Sequence, residues 1–191
     1  MSYCTVHEVK AHLGVEDDAD DYIIGGFVAA AQSAIDSKCN RTFEAIADTT
    51  RRFDAVRDVT TTTRTLWLDH DLCQITTVTN DADGLAEVIP STGYTTSPRN
   101  DAPYFAIKLK SDYSWTWSDE PEDAIAITGR WAYSVTAPAA IKTACIMLAS
   151  FYYRQKDVPF TDVTAVEAGV VVRPVGIPAA IMPILTPYIK L

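Results

Sequence analysis

The sequence predicts an α+β fold: a small helical bundle core, a β-rich insertion between its second and third main helices, and an extended C-terminal arm. Three observations carry this. Apolar residues recur with helical spacing up to about residue 40, alternate in short stretches from about 51 to 131, and resume helical spacing after Pro138. The corresponding divisions are 1–50 for the N-terminal helices, 51–134 for the β-rich insertion, 135–157 for the core helix and 158–191 for the arm with a short helix. A chain of 191 residues with 48% hydrophobic and 21% charged side chains is long and apolar enough to bury a core without disulfides.

Thr5 and Glu8 have the T-x-x-E spacing in which each side chain satisfies a backbone N–H at a helix start, and Val6, Val9 and Leu13 repeat on one face. Gly14 stops that helix. The carboxylates of Asp18 to Asp21 favour the positive end of a second helix, whose buried stripe is Ile24, Phe27, Val28, Ala31, Ile35 and Cys39. Asn40, tolerant of left-handed backbone, closes it. Phe105, Ile107 and Leu109 interleave with Lys108 and Lys110 as a strand with one wet face. Leu66 with Leu68, Ile75 with Val78, and Ile125 with Ile127 mark further strands, separated by turn-rich pieces at Asn80–Gly84 and Ser97–Asp101. Pro138 suits the first turn of a third helix, where its missing N–H has no partner to lose, and Ile141, Ala144, Cys145, Leu148 and Tyr152 form its buried face. From Asp157 onward, Pro159, Pro174, Pro178, Pro183 and Pro187 interrupt regular structure, leaving Val170–Val172 as a short strand and the rest as an arm ending in a broken helix.

The formal net charge of −9 opposes general binding to nucleic-acid phosphates, which depends on clustered Lys and Arg displacing counterions. Residues 131–191 are slightly basic, with five basic against three acidic side chains. Cys4, Cys39, Cys73 and Cys145 contain no C-x-x-C pair, which points to a reducing compartment and away from zinc or redox chemistry. The sequence shows no secretion signal, and its longest apolar run, Ala144–Tyr153, is about half a membrane span.

No catalytic, cofactor or metal site is expected. His7 and His12 are five apart and do not share the helix face that a zinc pair uses. Asp17, Asp18, Asp20 and Asp21 lack the glycine and distal glutamate of a calcium loop, so helix capping and solubility explain them better. Asp69-His70-Asp71 alternates faces on a strand, and no nucleophile turn accompanies it. Asn80–Gly84 reads as a hairpin tip. Phosphate-loop and dinucleotide fingerprints are missing. Tyr113, Trp115 and Trp117 alternate with Ser114 and Thr116, which on a strand puts three rings on one side. Such a row could stack sugars or bases, but the nearby Asp112, Asp119, Glu120, Glu122 and Asp123 favour packing or an interface.

The order of elements, with three segments, resembles the head-to-tail connector (adaptor, head-completion) family of tailed bacteriophages. The segments are Thr5–Val15 with the acidic run after it; Ala29–Asp36 leading into Cys39-Asn40-Arg41-Thr42-Phe43; and Ile127–Ser134 ahead of Pro138, Ile141 and Lys142. Ala132 stands where that pattern would have glycine before the aromatic residue. The resemblance implies a non-enzymatic neck protein of the virion, made in the host bacterial cytoplasm. It forms a dodecameric homo-oligomeric ring that docks on the portal protein, extends the DNA channel without binding DNA specifically, and carries the tail or stopper protein. Expected interface residues are Val170, Val171, Val172, Arg173, Ile177, Ile181, Ile184 and Tyr188 on the arm, with Trp115 and Trp117. Asp17, Asp18, Asp20 and Asp21 are the expected channel-facing acids. Two alternatives remain: a tail-completion or stopper-like neck subunit, and a β-rich carbohydrate- or nucleotide-binding module.

Overall fold

A computed structural model describes residues 2–156, 163–166, 169–172 and 176–190. Along the chain run α1 (Val6–Leu13), α2 (Asp21–Cys39), β1 (Thr49–Phe53), β2 (Val59–Thr60), β3 (Thr65–Leu72) and β4 (Gln74–Asn80). They are followed by β5 (Glu87–Ile89), β6 (Tyr94–Ser97), β7 (Tyr104–Leu109), β8 (Ile125–Arg130) and α3 (Ala139–Arg154), then β9 (Val163–Val166), β10 (Gly169–Val172) and α4 (Met182–Leu185). The fold is mixed α+β, and its contacts divide it into two compact units, residues 1–40 with 138–191, and residues 41–137.

The first unit is helical. Glu8 N donates to Thr5 Oγ1 at 3.2 Å and Thr5 N to Glu8 Oε2 at 2.9 Å, closing the expected capping box. Gly14 ends α1 at φ 73°, and Asn40 ends α2 at φ 51°, both left-handed as their residue types predict. Ile24, Val28, Ala31, Ile35 and Cys39 are buried, while Phe27 is half-buried with its ring 6.4 Å from that of Tyr152. On α3, Ile141, Ala144, Cys145, Leu148 and Ala149 are buried, and this helix packs against α1, α2 and α4. The Sγ atoms of Cys4 and Cys145 lie 3.3 Å apart as free thiols, and that contact together with burial pushes Cys145 far up from an ordinary thiol value.

The C-terminal segment differs from the expected arm. β9 and β10 pair antiparallel, Val163 opposite Val172 and Val166 opposite Gly169, so Val170–Val172 is a strand as expected. Beyond them, residues 176–190 fold back onto their own unit. Ile181 and Leu185, four apart and therefore on one helix face, are buried, and Lys190 N donates to Cys39 O at 2.9 Å. Prolines break this segment into short turns, yet it docks with Ile181 and Leu185 buried.

The second unit holds two four-stranded antiparallel sheets, ordered β1-β8-β4-β5 and β2-β3-β7-β6. Phe53, Val78, Ile89, Ile125 and Ile127 from the first sheet share one core with Leu66, Leu68, Ile107 and Leu109 from the second. Phe105 departs from the expected alternation. The β3–β7 register shifts between Trp67 and Leu72, and Phe105 is 46% exposed. Gly129 faces a second irregularity, between Ile75 and Thr77, where a Cβ would lie 2.1 Å from Gln74 O. Only glycine allows that backbone approach.

The first and last residues of this unit are zipped together. Tyr133 N donates to Thr42 O at 2.8 Å, Ala45 N to Ser134 O at 3.4 Å, and Ser134 Oγ to Phe43 O at 3.1 Å. The Phe43 and Tyr133 rings meet at 5.7 Å, and the Arg41 guanidinium lies 5.3 Å over the Tyr133 ring and 3.4 Å from Asp71. Residues 41–50 therefore fold with the β unit, although their position in sequence groups them with the N-terminal helices. Ala132 is buried and has no positive φ, so this join needs no glycine there.

Two substitutions test these close contacts by denaturant unfolding. Phe43→Ala, which empties a fully buried site, lowers stability by about 3–5 kcal/mol. Gly129→Ala lowers it by about 1–3 kcal/mol through overpacking against the β4 backbone. A loss within experimental error for either would remove that contact from the account.

Candidate interaction surfaces

The acidic run before α2 serves first as an internal clamp. Lys10 Nζ donates to Asp18 Oδ1 at 2.6 Å and Asp21 Oδ1 at 2.8 Å, with the lysine side chain only 9% exposed. Asp20, at the N-cap position of α2, makes no capping bond. Its Oδ2 instead accepts from Tyr153 Oη at 2.5 Å and from Lys156 Nζ. Asp17 Oδ1 accepts only from Ala19 N, at 3.1 Å, and has no lysine partner among the described residues. The hydrogen bond from Lys10 holds the Asp18 carboxyl below the usual carboxylate range, and those from Lys156 and Tyr153 do the same for Asp20. Both lysines are raised in return.

The expected interface residues separate into groups. Ile177, Ile184 and Tyr188 are half-buried, and Ile181, at 2% exposed, belongs to the core of its own unit rather than to a free arm. Val170, Val171 and Val172 lie on β10, and Arg173 lies outside the described residues.

Trp115 and Trp117 do not form an aromatic row, because residues 111–118 contain no strand. Trp115 is buried in the sheet core with its Nε1 donating to Arg64 O at 3.2 Å, Tyr113 packs against that core, and Trp117 is 39% exposed. Asn80 and Asp81 impose this path. Asn80 Nδ2 donates to Thr116 Oγ1 at 2.7 Å and to Ser114 O at 3.1 Å, and Asn80 Oδ1 accepts from Thr116 N at 3.0 Å. Asp81 accepts from Ser118 N at 2.9 Å and Ser118 Oγ at 2.5 Å, bonds that lower its carboxyl. The β4–β5 hairpin tip thus also anchors a distant segment, which turn chemistry alone does not reveal.

The exposed aromatic pair is instead Trp67 with Phe105, their rings 6.3 Å apart and 8° from parallel, with Trp67 Nε1 donating to Thr60 Oγ1 at 3.0 Å. Its signal was readable: Trp67 sits between Leu66 and Leu68, so in a strand it points away from the core. Asp69 and His70 both meet Arg51, at 2.8 and 2.6 Å, and lie 3.0 Å from each other (Asp69 Oδ2 to His70 Nδ1) on the exposed surface, whereas buried Asp71 lies by Arg41, so the three do not converge on one site. An open hollow of about 620 Å³ is lined by Asp81, Asp83, Asp119, Glu120 and Glu122. Among the described residues no three His, Cys, Asp or Glu side chains gather as a metal site, and no helix is long and apolar enough to cross a membrane.

The fold is similar to that of a chain in the neck of the empty gene transfer agent particle computed with C6 symmetry, with TM-score 0.58 and 16% identity over 97% of this chain and 89% of that one. A chain in the neck of the native particle computed with C12 symmetry matches at TM-score 0.58 and 16% identity over 97% and 88%. One in the virion of the native particle matches at 0.54 and 16% over 97% and 89%. No protein of curated function matches the sequence. The family model for head completion protein matches residues 3–191, and the chain belongs to that family.

The clamp makes stability depend on acidity. Because Asp18 and Asp20 have folded values below their unfolded ones, their contribution is fully present above about pH 4 and is lost as the pH falls through the lowered values. Asp20→Asn therefore lowers Tm at pH 7 and flattens its fall from pH 4 to pH 2. Parallel Tm curves for the two proteins would show that Asp20 does not contribute.

Proposed function

We propose that this head completion protein is a non-enzymatic building block of a phage-type neck. Its subunits close a dodecameric ring that docks on the portal, extends the DNA channel and presents a platform for a tail or stopper protein. The family match over residues 3–191 carries this reading, and the C6 and C12 symmetries of the particles with similar neck chains are consistent with a ring. In this reading residues 1–40 and 138–191 form the ring-building core and residues 41–137 a β-rich insertion in it. The hairpin β9–β10, with Ile177, Ile184 and Tyr188, supplies surface for the portal or a neighbouring copy. A net charge of −9 suits a channel through which DNA slides without adhering. The segment from Asp17 to Asp21 faces the DNA path, with Asp17 as the carboxylate that has no lysine partner among the described residues, and reversing Asp17 to lysine slows DNA release from assembled particles.

The decisive experiment mixes the purified chain with its own portal and follows co-sedimentation with mass determination of the complex. Twelve copies bound per portal is the expected result. Binding to the tail tube and not to portal would move the subunit down the neck to a stopper-like position, and association with neither would overturn the neck reading.

A further inference from the structure

A ring needs two different faces of each subunit to meet, so that every copy offers one and receives the other. Subunits of charge −9 repel one another, and their contact must lie where the charge is locally complementary. The β unit presents such a pair of faces.

The first is the outer surface of the sheet β2-β3-β7-β6. Trp67 pairs in register with Ala106, and Lys108 with both Thr65 and Thr95, so Trp67 and Lys108 project on the side away from Leu66, Ile107 and Leu109. Trp67 is 51% exposed and stacks on the exposed Phe105. Lys108 and Lys110 are exposed and take part in no ion pair among the described residues. Large exposed aromatic rings rimmed by cations are the composition that interfaces favour.

The second face is the β4–β5 tip with the segment Trp117–Glu122. Leu85 is 87% exposed, Val88 57%, and the neighbouring Asp119, Glu120 and Glu122 line the hollow and form no ion pair among the described residues. It too is an exposed apolar centre with a charged rim, but of opposite sign.

Resting on the ring reading above, we infer that the β units bind one another around the ring, the Trp67–Phe105–Lys108 face of one copy receiving the Leu85–Glu120–Glu122 face of the next. The test uses the full chain assembled on its portal, with three variants: Lys108→Glu with Lys110→Glu, Glu120→Lys with Glu122→Lys, and all four together. All four side chains are exposed, so the variants keep the wild-type Tm. Each double variant should lower ring yield about tenfold at low salt, and the quadruple variant, in which the two signs are exchanged, should restore it. Trp67→Ala with Phe105→Ala lowers ring yield as well, and added salt does not rescue it. Unchanged yield in the double variants overturns the inference, as does a quadruple variant no better than the doubles. Failure of the unaltered chain to form a ring on portal would instead overturn the ring reading and the inference with it.

Discussion

The architecture depends on the closure at Thr42 and Tyr133. A helical unit made from 1–40 and 138–191 exists only if the whole of 41–137 starts and finishes at one place, and the bonds Tyr133 N to Thr42 O and Ala45 N to Ser134 O bring this about. Backbone bonds alone are worth only about 1 kcal/mol each against water. The closure holds because it is also apolar and charged: Phe43 is fully buried against Tyr133, and Arg41 reaches both that ring and Asp71. Two of the stretches that carry the family resemblance, Cys39–Phe43 and Ile127–Ser134, lie far apart in sequence and meet here. They are the two sides of one join.

Closure has a thermodynamic logic. The entropy cost of holding loop ends together grows only slowly with length, so a β unit of this size costs little more at the join than a short loop would. It also has its own core of Phe53, Ile125, Ile127, Leu66 and Ile107, which offsets the cost of ordering it. α3 can then return Ile141, Ala144 and Leu148 to the unit that contains Ile24, Val28 and Ile35. The salt bridges from Lys10 and Lys156 to the acidic loop add positional control, since α1, the loop and the end of α3 are each tied by an ion pair.

Local grammar was legible where the interactions are local. The capping box at Thr5 and Glu8, the left-handed Gly14 and Asn40, and the buried stripes of α2 and α3 depend on residues within a turn or two, and the structure has them, except that Phe27 and Tyr152 are only half-buried. Outcomes set by distant partners were not legible. Asn80 and Asp81 read as a turn but also hold Ser114–Ser118, which turns Trp115 inward. Phe105 is exposed beside Trp67 where the β3–β7 register is irregular, and no alternation rule signals such an irregularity. In the tail, proline spacing correctly announced broken helix, but the docking of α4 on α3 and the bond from Lys190 N to Cys39 O depend on distant partners.

Charge shows most clearly how pairing alters a sequence-level argument. The acidic run looks like a concentrated negative surface, yet Asp18, Asp20 and Asp21 each lie within bonding distance of a lysine, and of the four only Asp17 has no cationic partner among the described residues. A paired charge is nearly neutral at distances beyond the Debye length, about 8 Å at physiological salt. In the β unit, by contrast, Asp119, Glu120 and Glu122 gather around one hollow and form no ion pair among the described residues. Under the proposed function the chain lets DNA pass and also binds its own neighbours, and it cannot use one set of carboxylates for both. In the proposed ring, carboxylates committed to a neighbour's lysines would be neutralised, so whatever repels DNA would have to come from groups that remain unpaired after assembly.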